Sequence, residues 1–185
     1  MTAIDSRPET FVRDSRRLVY VSGAPGPGKT SLAVPLAAEL GYALLAKDRI
    51  KETLHDAFGA PGSDLAWSRR LGGAAMELLW ALAADAPAVV IEASFRPYSE
   101  YERAKLSALA ARPVEVYCTC PPELAVKRHN ARVAHPVHVV TTLRLEAMAE
   151  YDRPVGIGAL VPVDTTVPVD MPAVAAAVGA CYDRS

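Results

Sequence analysis

Leu18-Val19-Tyr20-Val21-Ser22-Gly23-Ala24-Pro25-Gly26-Pro27-Gly28-Lys29-Thr30 is the stretch that decides the fold. Its first part is apolar and rich in valine, which predicts a strand over about residues 18–22. Its second part, Gly23 to Thr30, matches G-x-x-x-x-G-K-T. That pattern has meaning where a strand stops and a helix starts, because unpaired backbone N–H groups and the positive helix end there converge on one anion. Gly23, Gly26 and Gly28 allow backbone conformations closed to residues with a Cβ, and let the chain approach phosphate oxygens closely. Lys29 can reach β- and γ-phosphates, and the Thr30 hydroxyl can ligate Mg²⁺. Pro25 and Pro27 stiffen the loop. With Ala24 and Ser31 they complete the expected nucleotide-binding segment. A chance Gly/Pro turn followed by a lysine is the plainer reading, and the flanking strand and helix weigh against it.

Size and composition bound the rest. The chain has 185 residues, of which 51% are hydrophobic and 22% charged, a composition that supports one ordered domain with a sizeable core. A net charge of −1 gives no global field for nucleic acid, although a local basic groove is compatible with it. Cys118, Cys120 and Cys181 are odd in number and lack the paired spacing of a zinc site, so they read as small core residues of a reduced, cytoplasmic protein. No apolar run is long enough for a signal peptide or a membrane span. Residues 1–16 read as a flexible N-terminal extension, and residues 17–185 as one domain.

Strand-like and helix-like segments alternate to the end, which predicts a three-layer α/β fold on a mainly parallel, five-stranded sheet. Strands are expected near residues 18–22, 42–46, 88–91, 114–118 and 157–163. Helices are expected over 29–40, 49–58, 64–84, 99–110, 121–133, 139–151 and 172–182, with breaks at Pro61-Gly62-Ser63 and at 134–138. In such a sheet ligands lie beyond the carboxyl ends of the strands, so polar residues there are the functional candidates.

Four strands end in such residues: the first in the phosphate loop, the second in Lys47-Asp48, the third in Glu92 and Ser94, and the fifth in Asp164-Thr165-Thr166. Asp48, after the second strand, can accept a proton from an attacking hydroxyl or simply cap the helix that follows. Glu92, after Val89-Val90-Ile91, can hold Mg²⁺ or serve a structural hydrogen bond. Ser94, Phe95 and Arg96 continue that loop toward an acceptor. Arg128 and Arg132, four apart on one predicted helix face, together with the turn His135-Pro136-Val137-His138, read either as a closing lid over phosphates, residues 127–140, or as a solvated basic face. His135 and His138 have H-x-x-H spacing without an evident third metal ligand. The loop Asp164-Thr165-Thr166, with the base of the lid, is the expected neighbour of a nucleobase.

In the order of its motifs the chain resembles small P-loop kinases related to polynucleotide 5′-hydroxyl kinases, zeta-toxin-like kinases and chloramphenicol-phosphotransferase-like proteins. The likeness spans about residues 18–180 and rests on Gly23 to Thr30, Lys47-Asp48-Arg49-Ile50-Lys51, Val90-Ile91-Glu92-Ala93-Ser94-Phe95 and Lys127-Arg128-His129-Asn130-Ala131-Arg132. It implies a nucleoside-monophosphate-kinase-like core with a small helical lid. Asp48 would be the general base, Lys51 the acceptor contact, Glu92 the acid after the third strand, Arg132 the lid arginine and Arg128 its helper. Lysine at 51 cannot make the planar fork of an arginine, and no phosphatase or ligase module follows, so the acceptor does not carry over.

The reading that results is an ATP- and Mg²⁺-dependent transfer of a γ-phosphoryl group to a hydroxyl, on a small molecule in preference to a polynucleotide end. Lys29, Asp48, Arg132 and Arg128 would be catalytic. Thr30 and Glu92 would hold the metal, and Asp48, Lys51, Ser94 and Arg96 would face the acceptor. Two rivals are a triphosphatase using water, positioned by Glu92, and a nucleotide sensor without turnover.

Overall fold

The computed structural model describes residues 16–59, 64–139 and 142–183. The N-terminal extension, apart from Arg16, and the predicted break at Pro61-Gly62-Ser63 lie outside the described residues. Five strands, β1 (Arg17–Ser22), β2 (Ala43–Ala46), β3 (Ala88–Glu92), β4 (Val114–Thr119) and β5 (Ala159–Asp164), form one sheet in the order β2-β3-β1-β4-β5. All its pairings are parallel. The helices are α1 (Lys29–Leu40), α2 (Lys47–Phe58), α3 (Leu65–Asp85), α4 (Glu100–Leu109), α5 (Pro122–Ala131) and α6 (Met171–Asp183), with a 3-10 segment at Leu145–Tyr151. Among the described residues no helix is long and apolar enough to cross a membrane.

Successive residues of a strand face opposite sides, and both sides of β1 are buried. Val19 and Val21 pack with Leu32, Leu36, Val174 and Val178 of α1 and α6. Leu18 and Tyr20 pack with Leu79, Trp80, Phe95 and Leu106 under α3 and α4. These two cores make the three layers, and they explain why β1 and β3 read as unbroken apolar runs.

Register then places the site. Val21 of β1 and Ala46 of β2 both pair with Glu92 of β3, so the phosphate-loop motif, the start of α2 and Glu92 leave the sheet side by side.

Three expectations are corrected. Helix α2 begins at Lys47, not Arg49, with Ala46 at its N-cap and no side-chain cap bond. Asp48 therefore sits inside the first turn, where it favours the positive helix end but does not cap it. Helix α5 ends at Ala131, leaving Arg132 extended at its C-cap (φ −74°, ψ 142°). The chain cannot re-enter a helix directly before Pro136, whose ring disfavours helical backbone at the residue preceding it. The helix expected over 139–151 is reduced to the 3-10 segment, with Arg144 extended at its N-cap.

One buried acid ties the far end of the chain to the sheet. Glu115 of β4 is 1% exposed. Its carboxylate accepts hydrogen bonds from Ser22 Oγ (2.5 Å), Tyr20 Oη (2.9 Å), Val155 N (2.8 Å) and Gly156 N (2.8 Å). Arg103 donates to the Val155 carbonyl and clamps the same loop from α4. Replacing Glu115 by alanine strips Ser22, Val155 N and Gly156 N of their acceptor, Tyr20 keeping the Ile157 carbonyl, and a loss of about 3–5 kcal/mol in unfolding free energy is expected in urea titrations. A loss below about 1 kcal/mol would show that the network does not hold the loop.

Candidate active site

The carboxyl ends of β1, β2 and β3 open onto a cleft of about 1340 Å³, lined by the Gly23–Thr30 turn, α2, α3, the loop after β3 and the segment after α5. Gly26 (φ 99°) leads into it, and a Cβ there would stand 2.1 Å from the Ala125 carbonyl oxygen of α5. Gly23 (φ 123°) is equally constrained, 2.4 Å from the Cys118 carbonyl oxygen. Glycine is thus required twice, by conformation and by packing. Gly28 is the N-cap of α1 and supplies no side-chain cap, so no side chain of the cap occupies the amides that the motif turns toward an anion.

Lys29 lies across this turn. Its ammonium, 7% exposed, donates to the Ala24 carbonyl at 2.6 Å and to Ser94 Oγ at 2.9 Å. Burial pushes it below the ordinary lysine value, and the Glu92 carboxylate works against that shift. Thr30 Oγ1 donates to Glu92 Oε2 at 3.1 Å. Burial raises the Glu92 carboxyl above its ordinary range, offset in part by Lys29 and by the Thr30 bond. A hydroxyl and a carboxylate, both hard oxygen donors at one strand end, suit Mg²⁺.

On the opposite wall Asp48 accepts from Lys47 Nζ at 3.0 Å and keeps 43% of its side chain exposed. Burial alone would raise its carboxyl. Lys47, His138 and Arg132 outweigh that and hold it below the usual carboxylate range. Lys51, one turn further on, is buried against Ser68 Oγ of α3 at 2.8 Å. Arg96 is exposed at the rim, but its guanidinium is fixed by Glu102 Oε1 at 2.7 and 2.9 Å, and its backbone N–H donates to Glu102 Oε2 at 2.7 Å.

The two expected lid arginines do not share a helix face. Arg128 reaches the Thr165 carbonyl beyond β5 at 3.1 Å, whereas Arg132 stands past the helix end, exposed, among the cleft residues. The segment after it is latched to α2. His138 Nε2 lies 2.8 Å from Glu52 Oε1, and His135 Nε2 lies 3.1 Å from Asp56 Oδ1. His55 joins that second pair, so two imidazoles and a carboxylate do meet, with ligand atoms within 4.8 Å of one another. Val137 N donates to His135 Nδ1 at 3.2 Å, and the other ring nitrogen faces Asp56. The cluster ties the segment after α5 to α2.

Lys29, Thr30, Asp48, Lys51, Glu92, Ser94, Arg96, Arg128 and Arg132 all line the one cleft. Sequence reasoning missed Lys47 as the partner of Asp48, Glu102 as the holder of Arg96, and Ser68 on α3. Only Lys47 carried a signal, its adjacency to Asp48. Glu102 lies six residues beyond Arg96 across the turn into α4, and Ser68 comes from a different helix than Lys51.

A protein from Chloroflexus aurantiacus proposed to be a kinase superposes with a TM-score of 0.78 and 30% identity, covering 90% of this chain and 98% of its own. A shikimate kinase from Acinetobacter baumannii, solved with shikimate, gives a TM-score of 0.60 at 17% identity over 92% and 94% of the two chains. A gluconokinase from Sinorhizobium meliloti gives 0.56 at 20% identity over 93% and 94%. At those lower identities the likeness is one of fold. No match was found among curated proteins. The model of the AAA domain family matches residues 18–154, and with its P-loop kinase-like fold this chain belongs to that family.

Proposed function

We propose that the protein is an ATP- and Mg²⁺-dependent phosphotransferase that moves the γ-phosphoryl group to a hydroxyl of a small molecule. The observation that carries this reading is the convergence, in one cleft, of a glycine-bounded anion cradle and a carboxylate on the opposing wall, Asp48. Solved neighbours of this fold include a gluconokinase and a shikimate kinase, which supports a small hydroxyl compound as acceptor. The likeness to zeta-toxin-like and chloramphenicol-phosphotransferase-like kinases points the same way. A net charge of −1 disfavours a polynucleotide end.

The loop amides and Lys29 hold the β- and γ-phosphates, with Gly23, Ala24, Pro25, Gly26, Pro27, Gly28 and Ser31 shaping the cradle. Thr30 and Glu92 hold Mg²⁺, which neutralises phosphate charge when bound. The acceptor oxygen attacks the γ-phosphorus, the bond to the β-bridging oxygen breaks, ADP leaves, and the hydroxyl proton passes to Asp48. Arg132 turns toward the charge that spreads over the transferring group, a role suited to a guanidinium exposed at a helix end. Arg128, tied to the loop after β5, packs at the nucleoside side. Ser94 and Arg96 border the acceptor.

Incubation with γ-labelled ATP and a panel of hydroxyl compounds tests the reading. Label is expected on an acceptor and absent from free phosphate beyond a slow background. Release of all label as phosphate, whatever the acceptor, would favour the hydrolytic alternative. Asp48→Asn is expected to lower kcat by about 10²–10⁴ with ATP affinity unchanged. Unaltered turnover in that variant removes the base assignment. Arg132→Ala is expected to lower kcat about 10²-fold or more, while Arg128→Ala acts mainly on KM for ATP. The reverse split would exchange the two roles. Because Asp48 is held below its ordinary value of 3.8, it stays ionised as pH falls from neutrality. The rate profile should therefore carry no acid limb from this group above about pH 5, and an Asp48-dependent limb near neutrality would contradict it.

A further inference from the structure

Outside the cleft the fold brings together side chains that phosphoryl transfer does not use. His55 and Asp56 stand in the last turn of α2, and His135 belongs to the turn after α5, 79 positions from Asp56 along the chain. None of the three lines the cleft. The H-x-x-H spacing of His135 and His138 is therefore divided between two partners: His138 meets Glu52, whereas His135 meets the pair His55-Asp56.

The donor atoms of this trio face one point. His135 Nε2 lies 3.1 Å and His55 Nδ1 3.4 Å from the same oxygen, Asp56 Oδ1, and all three atoms fall within 4.8 Å of one another. In a tetrahedral zinc site with bonds of about 2.0–2.1 Å, neighbouring ligand atoms stand roughly 3.3–3.5 Å apart. A separation of 3.4 Å is long for an N–H···O hydrogen bond but matches that spacing. The two imidazoles meet edge to face at 5.3 Å and expose only 14% and 25% of their side chains, so their rings are held in place. Asp56, 67% exposed, leaves a fourth corner open to water. Two imidazole nitrogens with one carboxylate suit Zn²⁺ and its first-row neighbours, whereas Mg²⁺ takes oxygen donors.

We propose that His55, Asp56 and His135 form a Zn²⁺ site, with water as the fourth ligand, that pins the segment after α5 to α2. A metal on Nε2 of a neutral imidazole puts the ring proton on Nδ1, so the 3.2 Å contact from Val137 N is given up on binding. Arg132 stands three residues before His135. On the phosphotransferase reading, a bound ion therefore restrains the arginine that meets the transferring group.

Calorimetric titration of ZnCl₂ into native protein free of nucleotide and Mg²⁺ tests the site. One ion per chain is expected. His55→Gln and His135→Gln should each weaken it by at least the tenfold that loss of an outer-shell partner costs. His138→Gln, in the adjacent pair, should bind zinc as the native protein does. Co²⁺ in the same site should give the strong visible bands of a four-coordinate ion, without the charge-transfer band that ligation by a cysteine thiolate would add. Zinc should also slow amide exchange over residues 132–138 in the native protein and not in His55→Gln. No heat with zinc, a thiolate band, or exchange unaltered by bound zinc overturns the proposal. Equal affinity in the native protein and both weakened variants marks an adventitious ion only and overturns it too. Each of these outcomes leaves the phosphate cradle untouched, because no residue of the trio belongs to it.

Discussion

Lys29 brings a positive charge to a place that water barely reaches, and the protein answers it with two neutral oxygens, from Ala24 and Ser94, and the field of Glu92. Glu92 is itself buried and raised, and it is steadied in turn by Lys29 and the Thr30 hydroxyl. Neither charge is well solvated, and removing one would leave the other uncompensated in a poorly hydrated site. Such a pair is costly in the free protein and gains from a polyanion with its cation. The rest of the molecule is arranged to hold these groups in register. The sheet order places β1 at the centre, and parallel pairing sets Glu92 beside both the loop and the start of α2.

The wall facing the loop is organised by a different balance. The Asp48 carboxyl is held below its ordinary range by Lys47, with His138 and Arg132 adding to the effect, so this wall carries an ionised carboxylate in a cationic surround. The segment after α5 is fastened to α2 through His138–Glu52 and His135–Asp56, one helical turn apart on the same helix. These exposed or half-exposed pairs are individually weak, of the order of 0–1 kcal/mol. A latch of that strength can hold the segment near Asp48 and still release it.

What could be read from the chain alone follows from range. The strand, the loop and α1 were legible because their signals are local: an apolar run, glycines at fixed spacing, a lysine at the helix start. The remaining strands were legible for the same reason, with Ile91 and Val116 buried on both-sided sheets. The 3-10 segment was misread as a long helix because its apolar spacing outlasts its hydrogen bonding. Arg132 was misplaced because the helix stops at Ala131, two residues short of the expected end. The bonds of Ser68 to Lys51 and Glu115 to the Val155 loop join residues brought together only by the fold, and no local pattern announces them.

The central claim is that the Gly23–Thr30 cradle and Lys29 receive a polyphosphate together with Mg²⁺. Titration of a non-hydrolysable ATP analogue in the presence of Mg²⁺ against the native protein and a Lys29→Met variant tests it most directly. Saturable binding by the native protein, weakened about tenfold or more by the substitution, is the predicted result. Absence of binding to the native protein, or equal affinity in the two, would contradict the account.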